Sequence, residues 1–146
     1  MVLDLSPTPS PTPSPTQNPQ EAPRLDEAAL ERLREIDPDG RHGVVQRVLQ
    51  AFERSLEATL VQLMSLADPA DPSLAPESVR VQRALDIGHM LKSSAASVGA
   101  LALSEVSAQV EQRQRSSPGL EIEHDLRRLI TESQRALVAV RAILPP

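Results

Sequence analysis

The placement of proline divides this chain before any other feature does. Of 14 prolines in 146 residues, seven fall within the first 23 positions. The stretch from Ser6 to Thr16 reads SPTPSPTPSPT, a repeating Ser-Pro-Thr-Pro unit. Proline lacks a backbone N–H, and each residue before it is pushed towards extended backbone. With almost no apolar side chains there is nothing to build a core from. Residues 1–22 are therefore expected to be a disordered Pro/Ser/Thr-rich tail of polyproline-II character, and residues 23–146 the folded domain.

The other prolines are Pro38, Pro69, Pro72, Pro76, Pro118, Pro145 and Pro146. A helix interior excludes proline at a cost of about 3 kcal/mol, so these positions mark boundaries. Five blocks remain between them. Residues 25–36 are amphipathic, with Leu25, Ala29, Leu33 and Ile36 on one face, and end at the turn signal Asp37-Pro38-Asp39-Gly40. Residues 41–67 carry Val45, Val48, Leu49, Phe52, Leu56, Leu60, Leu63 and Met64, a helical stripe. The segment 68–75 reads as a loop. A third helix is expected from about Pro76 to Gly99, a fourth from Leu103 to Arg115 with Leu103, Val106 and Val110 inward, and a fifth over 120–143.

Composition points the same way. There is one Phe and no Trp or Tyr, where sheets usually draw on aromatic and β-branched residues. The expected fold is all-α: an antiparallel four-helix bundle with a short N-terminal cap helix.

Several function classes are excluded. There is no cysteine, hence no disulfide, thiolate metal site or cysteine nucleophile. The formal net charge is -5, with Arg interleaved among acids and no aromatics for base stacking, which argues against nucleic acid. No apolar run approaches the roughly 18 residues that span a bilayer. Met1-Val2-Leu3-Asp4-Leu5 lacks the pattern of a signal peptide, so a soluble, cytoplasmic protein is expected. No hydrolytic triad, metal cluster or phosphate-cradling glycine loop is present; no metal site and no cofactor are expected.

One segment carries chemistry. Residues 85–100 read LDIGHMLKSSAASVGA. As a helix, its buried stripe is Ala84, Ile87, Leu91, Ala95 and Val98. His89 lies two residues from Ile87 and from Leu91, which turns it about 200° away from them, out to solvent. Its neighbours three and four positions away are Leu85, Asp86, Lys92 and Ser93. Gly88 precedes it, at a helix cost of about 1 kcal/mol relative to Ala. An imidazole titrates near neutrality and is nucleophilic when neutral. Lys92 is placed to stabilise an anionic group on the ring. By contrast, His42 sits near a helix start and His124 in the first turn of the last helix, without the small flank or the lysine.

The run His89-Met90-Leu91-Lys92-Ser93-Ser94, followed by Gly99-Ala100, resembles the signature of histidine-containing phosphotransfer (HPt) domains. That signature is roughly His-x-Leu-Lys-Gly-Ser with Gly-Ala at the same distance downstream. The likeness extends through the helix pattern from about Leu25 to Leu144 and includes the turn at Asp37. It implies that His89 is the phosphoacceptor, that Lys92 assists by charge, and that Ser93 and Ser94 leave space beside the ring. Ser93 stands where the family usually has Gly, and Gly88 where it often has Ala. Glu111 matches a Gln that orients the imidazole in some members. The implied function is that of a phosphorelay intermediate. It would take a phosphoryl group from one receiver-domain aspartate and pass it to another, without kinase activity of its own. The implied partners are receiver domains of hybrid sensor kinases and response regulators, with Mg²⁺ needed only in the receiver and the carrier acting as a monomer.

Three readings rival this one. Of these, a chemotaxis-kinase phosphotransfer domain is the closest in motif, but the rest of such a kinase is missing. In the dimerisation helix of a sensor histidine kinase an acidic residue normally follows the His, and Pro stands five positions after it; here those positions hold Met90 and Ser94. A helical adaptor that binds signalling proteins without phosphotransfer is the alternative of a different class. Loss of label from a phosphorylated receiver to this chain discriminates it.

Overall fold

A computed structural model of the chain describes residues 22–68 and 76–145. The expected tail and most of the expected loop over 68–75 lie outside the described residues. Five helices follow in order: α1 (Glu27–Ile36), α2 (Val44–Ala67), α3 (Glu77–Val98), α4 (Leu101–Ser116) and α5 (Ile122–Ile143). The fold is all-α, and no strand occurs among the described residues. Helices α2 to α5 form the antiparallel bundle, with α3 packed most extensively on α4, and α2 on α5. Helix α1 lies against α2 and α3.

The boundaries have local causes. Asp26 caps α1, its carboxylate accepting from Ala29 N at 3.2 Å. Asp37 folds the turn before α2 by accepting from His42 N at 3.0 Å and from Val44 N at 3.2 Å, the latter a donor left free by the helix start. Pro76 stands immediately before α3. Gly99 ends it with φ +85°, where a Cβ would lie 2.7 Å from Asp26 N. The Gly99 carbonyl accepts from Asp26 N at 2.8 Å, so the same glycine stops α3 and seats the start of α1. Between α4 and α5, the Gln114 amide donates to Leu120 O at 2.8 Å and to Asp125 Oδ2 at 2.9 Å. Its oxygen accepts from Gly119 N at 2.9 Å. One buried side chain thus holds the whole connection.

The core is mostly aliphatic: Leu49, Leu56 and Leu63 of α2, Ala84, Leu91, Ala95 and Val98 of α3, Leu103 and Val110 of α4, and Leu126, Leu129 and Val140 of α5. Truncating one of these leucines to Ala would cost about 2–5 kcal/mol.

Differences from the expected elements are small. Helix α4 starts at Leu101, two residues early, because Gly99 and Ala100 complete the break alone. Helix α5 starts at Ile122, since residues 117–121 form the Gln114-held turn. Ile36 and Met64, expected on buried stripes, are 67% and 53% exposed. Ile36 is the last residue of α1, at the exit to the turn. Met64 follows Leu63 by about 100° of helix and falls beyond the contact edge. Leu30, not assigned to the α1 stripe, is buried.

Candidate functional site

The α3–α4 interface sets the site. At Gly88 the helices approach so closely that an added Cβ would lie 3.0 Å from Ser107 O and 3.6 Å from the Glu111 Cβ. Gly88 is buried in this contact, whereas His89, one residue on, projects out with its side chain 70% exposed. Gly99-Ala100 turns the chain sharply, so α4 runs back along α3. The two helices then bring residues 22 positions apart together: His89 Nδ1 lies 2.7 Å from Glu111 Oε2.

Glu111 is the centre of a small charged cluster. Its other oxygen, Oε1, accepts from Lys92 Nζ at 2.8 Å. Arg115 Nη2 stands 3.5 Å from Oε2. The carboxylate itself is only 8% exposed. The Lys92 hydrogen bond holds the Glu111 carboxyl below the usual carboxylate range. The bond from His89 and the charges of Lys92 and Arg115 add to this, and together they outweigh the opposing effect of burial. An ionised carboxylate only accepts hydrogen bonds, so Nδ1 must donate. In the neutral ring the lone pair is then on Nε2, on the side of the imidazole away from Glu111. The arrangement presents a nucleophilic nitrogen to solvent and fixes its tautomer from behind.

The other residues singled out from the sequence are distributed around this centre. Ser93 is exposed on α3, one turn beyond His89. Ser94 bonds back along its own helix, donating to Met90 O at 3.1 Å. Gly99 serves the helix break and the α1 contact, not the ring. Lys92, expected on the exposed face beside His89, is half-buried with its ammonium on Glu111. Asp86 accepts from Gln82 at 2.9 Å, one turn before the ring. Leu85, placed beside His89 on the exposed face, is half-buried against the core. His42 and His124 are both exposed and remote in sequence from this cluster.

Two contributors were not identified from the sequence. Arg115 follows Glu111 by four residues on α4, a spacing that places both on one face. Ser104 donates to the Lys92 carbonyl at 2.6 Å and pins the start of α4 to the middle of the site. The first carried a readable signal; the second depends on helix packing.

Among the described residues, no group of three His, Cys, Asp or Glu side chains is arranged to hold a metal ion. No described helix is long and apolar enough to cross a membrane. No curated protein and no solved structure matches the sequence significantly. The family model of the Hpt domain matches residues 47–137, a span that runs from the first turn of α2 into α5. Domains of this family are helical phosphocarriers that work by histidine phosphotransfer with receiver domains, not kinases. The span covers most of the chain and contains His89, Lys92 and Glu111, and the chain belongs to the Hpt domain family.

Proposed function

We propose that His89 accepts a phosphoryl group at Nε2 from the aspartyl phosphate of one receiver domain and passes it to the aspartate of another. The observation that carries this reading is the bond from His89 Nδ1 to the buried Glu111 carboxylate, on a ring left 70% exposed. It makes His89 both accessible and oriented.

In the accepting step the Nε2 lone pair attacks phosphorus. The N–P bond forms, the P–O bond to the donor aspartate breaks, and that aspartate leaves as a carboxylate. No proton has to move, because Nδ1 already carries one. Positive charge builds on the ring during attack, and the Glu111 carboxylate stabilises it at 2.7 Å. Lys92 holds Glu111 in place and supplies positive charge beside the incoming phosphoryl group. Ser93 leaves room for the receiver. Reacting atoms must come within about 3–3.5 Å for in-line transfer, which tolerates little obstruction.

On this reading the chain is a carrier without autonomous kinase activity. It needs no resident cofactor, since the receiver brings its own Mg²⁺. It acts as a cytoplasmic monomer whose residues 23–146 suffice. The test is to mix the protein with a phosphorylated receiver and follow label. His89→Gln should abolish acceptance while His42→Gln and His124→Gln retain it. Label surviving in the His89 variant would overturn the assignment.

A further inference from the structure

The charges around His89 bear on how long the loaded state lasts and how readily it gives up its phosphoryl group. We propose that Glu111 keeps the Nδ1 proton on the ring after loading, so that the phosphohistidine is held as a phosphoimidazolium against a carboxylate and departs as neutral imidazole on onward transfer. This inference rests on the function proposed above and adds to it the protonation state of the intermediate.

Among the described residues, the charged groups placed near the ring are few. From α3 come Lys92 and, one turn before His89, Asp86, which accepts from Gln82. From α4 come Glu111 and Arg115. Arg113 of α4 and Arg128 of α5 turn instead to Asp125. In direct contact with Glu111 one negative and two positive groups meet, a local surplus of one positive charge while the ring is neutral, which the more distant Asp86, already bonded to Gln82, offsets in part. That surplus favours arrival of a phosphoryl group, which brings about two negative charges. The loaded cluster is then closer to neutrality when the ring keeps its Nδ1 proton. If the proton leaves, a further negative charge is left beside an anionic carboxylate that is itself almost buried.

The chemistry follows from that balance. Loading breaks the P–O bond to the donor aspartate and forms N–P at Nε2, with Nδ1–H still donated to Glu111. Onward transfer breaks N–P as the next aspartate oxygen attacks, and the electron pair returns to Nε2. With the proton retained, the leaving group is neutral imidazole. Without it, the leaving group is imidazolate, a much stronger base and a poorer one. An amide at position 111 would weaken the preference. Lys92, Arg115 and a phosphoryl group would already balance, and the ring would shed its proton more easily. Removing Arg115 acts in the opposite sense.

The experiment loads ¹⁵N-labelled protein with phosphoramidate and follows the ring nitrogens of phospho-His89 by NMR between about pH 6 and 9. Onward transfer to an unphosphorylated receiver is timed over the same range. In Glu111→Gln the ring should lose its proton about 1–3 pH units lower than in the parent, with transfer falling off above that point. In Arg115→Ala, a substitution at an exposed position, the ring should hold its proton to higher pH than the parent. Circular dichroism checks that both variants fold. Ring titration at the same pH in all three proteins, or shifts of the same sign in both variants, would overturn this inference alone. Absence of phosphohistidine at position 89 in the parent would overturn the proposed function with it.

Discussion

Two carboxylates in this bundle meet the same kinds of partner and put them to different uses. Glu111, on α4, faces His89, Lys92 and Arg115 at the surface of the α3–α4 pair. Asp125, in the first turn of α5, faces Gln114, Arg113 and Arg128 and is fully buried. Asp125 joins the end of α4 to the start of α5, near a helix N-terminus whose free N–H groups favour a negative charge. Its partners are held by the fold and stay there. Glu111 is nearly as buried, yet one of its partners is an imidazole 70% open to solvent. The comparison teaches that the carboxylate alone does not make a site. What does is one partner free to meet another molecule while the others hold the carboxylate still.

Paired substitutions break or sharpen this contrast. Asp125→Ala should be the most damaging to stability, at the lower end of about 3–5 kcal/mol, because it strands two arginines and the Gln114 amide. Arg113 and Arg128 can turn partly towards water, which limits the loss. Phosphoryl acceptance by the remaining folded protein should be unchanged. Glu111→Ala should do the reverse. Its cationic partners already reach solvent, so melting should move little, while acceptance falls about 10²-fold as the ring loses its orientation. Chemical denaturation alongside receiver-to-protein transfer rates separates the two. Similar effects of both substitutions on stability and rate would erase the distinction.

The extent to which each region was legible in sequence follows from the range of the forces involved. Proline and glycine act within a few residues, so the helix boundaries could be placed to within about two positions at Pro76, Gly99 and Pro118. The outward direction of His89 followed from burial of Ile87 and Leu91 on either side. The Glu111 contact was different. It spans 22 residues and depends on the depth of the α3–α4 approach at Gly88, which no periodicity reports. Position 111 came forward only through the family resemblance. Asp125 and Gln114 carry little signal of their own, because a polar residue near a helix end usually caps or faces water, though both are buried. Yet Leu103, Ser107, Val110, Glu111 and Gln114 recur at helical spacing on the inner face of α4, and all are buried. Polar residues on an apolar stripe were the available sign that α4 carries more than core.

A smaller effect on stability is expected at the edge of the site. Ser93→Leu adds bulk one turn from the imidazole at an exposed position. Leu is the better helix former, so stability should hold or rise by a few tenths of a kcal/mol, about the propensity difference. Transfer from a receiver should nevertheless be blocked, while loading by phosphoramidate, a small donor, should persist. Equal rates from the receiver in parent and variant would show that the space beside His89 plays no part in docking.

The most direct measurement of the central claim is the position of the phosphoryl group itself. After incubation with a phosphorylated receiver, ¹H–¹⁵N spectra of the three histidine rings, read with ³¹P coupling, identify the bonded nitrogen. A single phosphorylated atom is expected, Nε2 of His89, with Nδ1 still protonated towards Glu111. Phosphorus on Nδ1 of His89, or on the ring of His42 or His124, would contradict it.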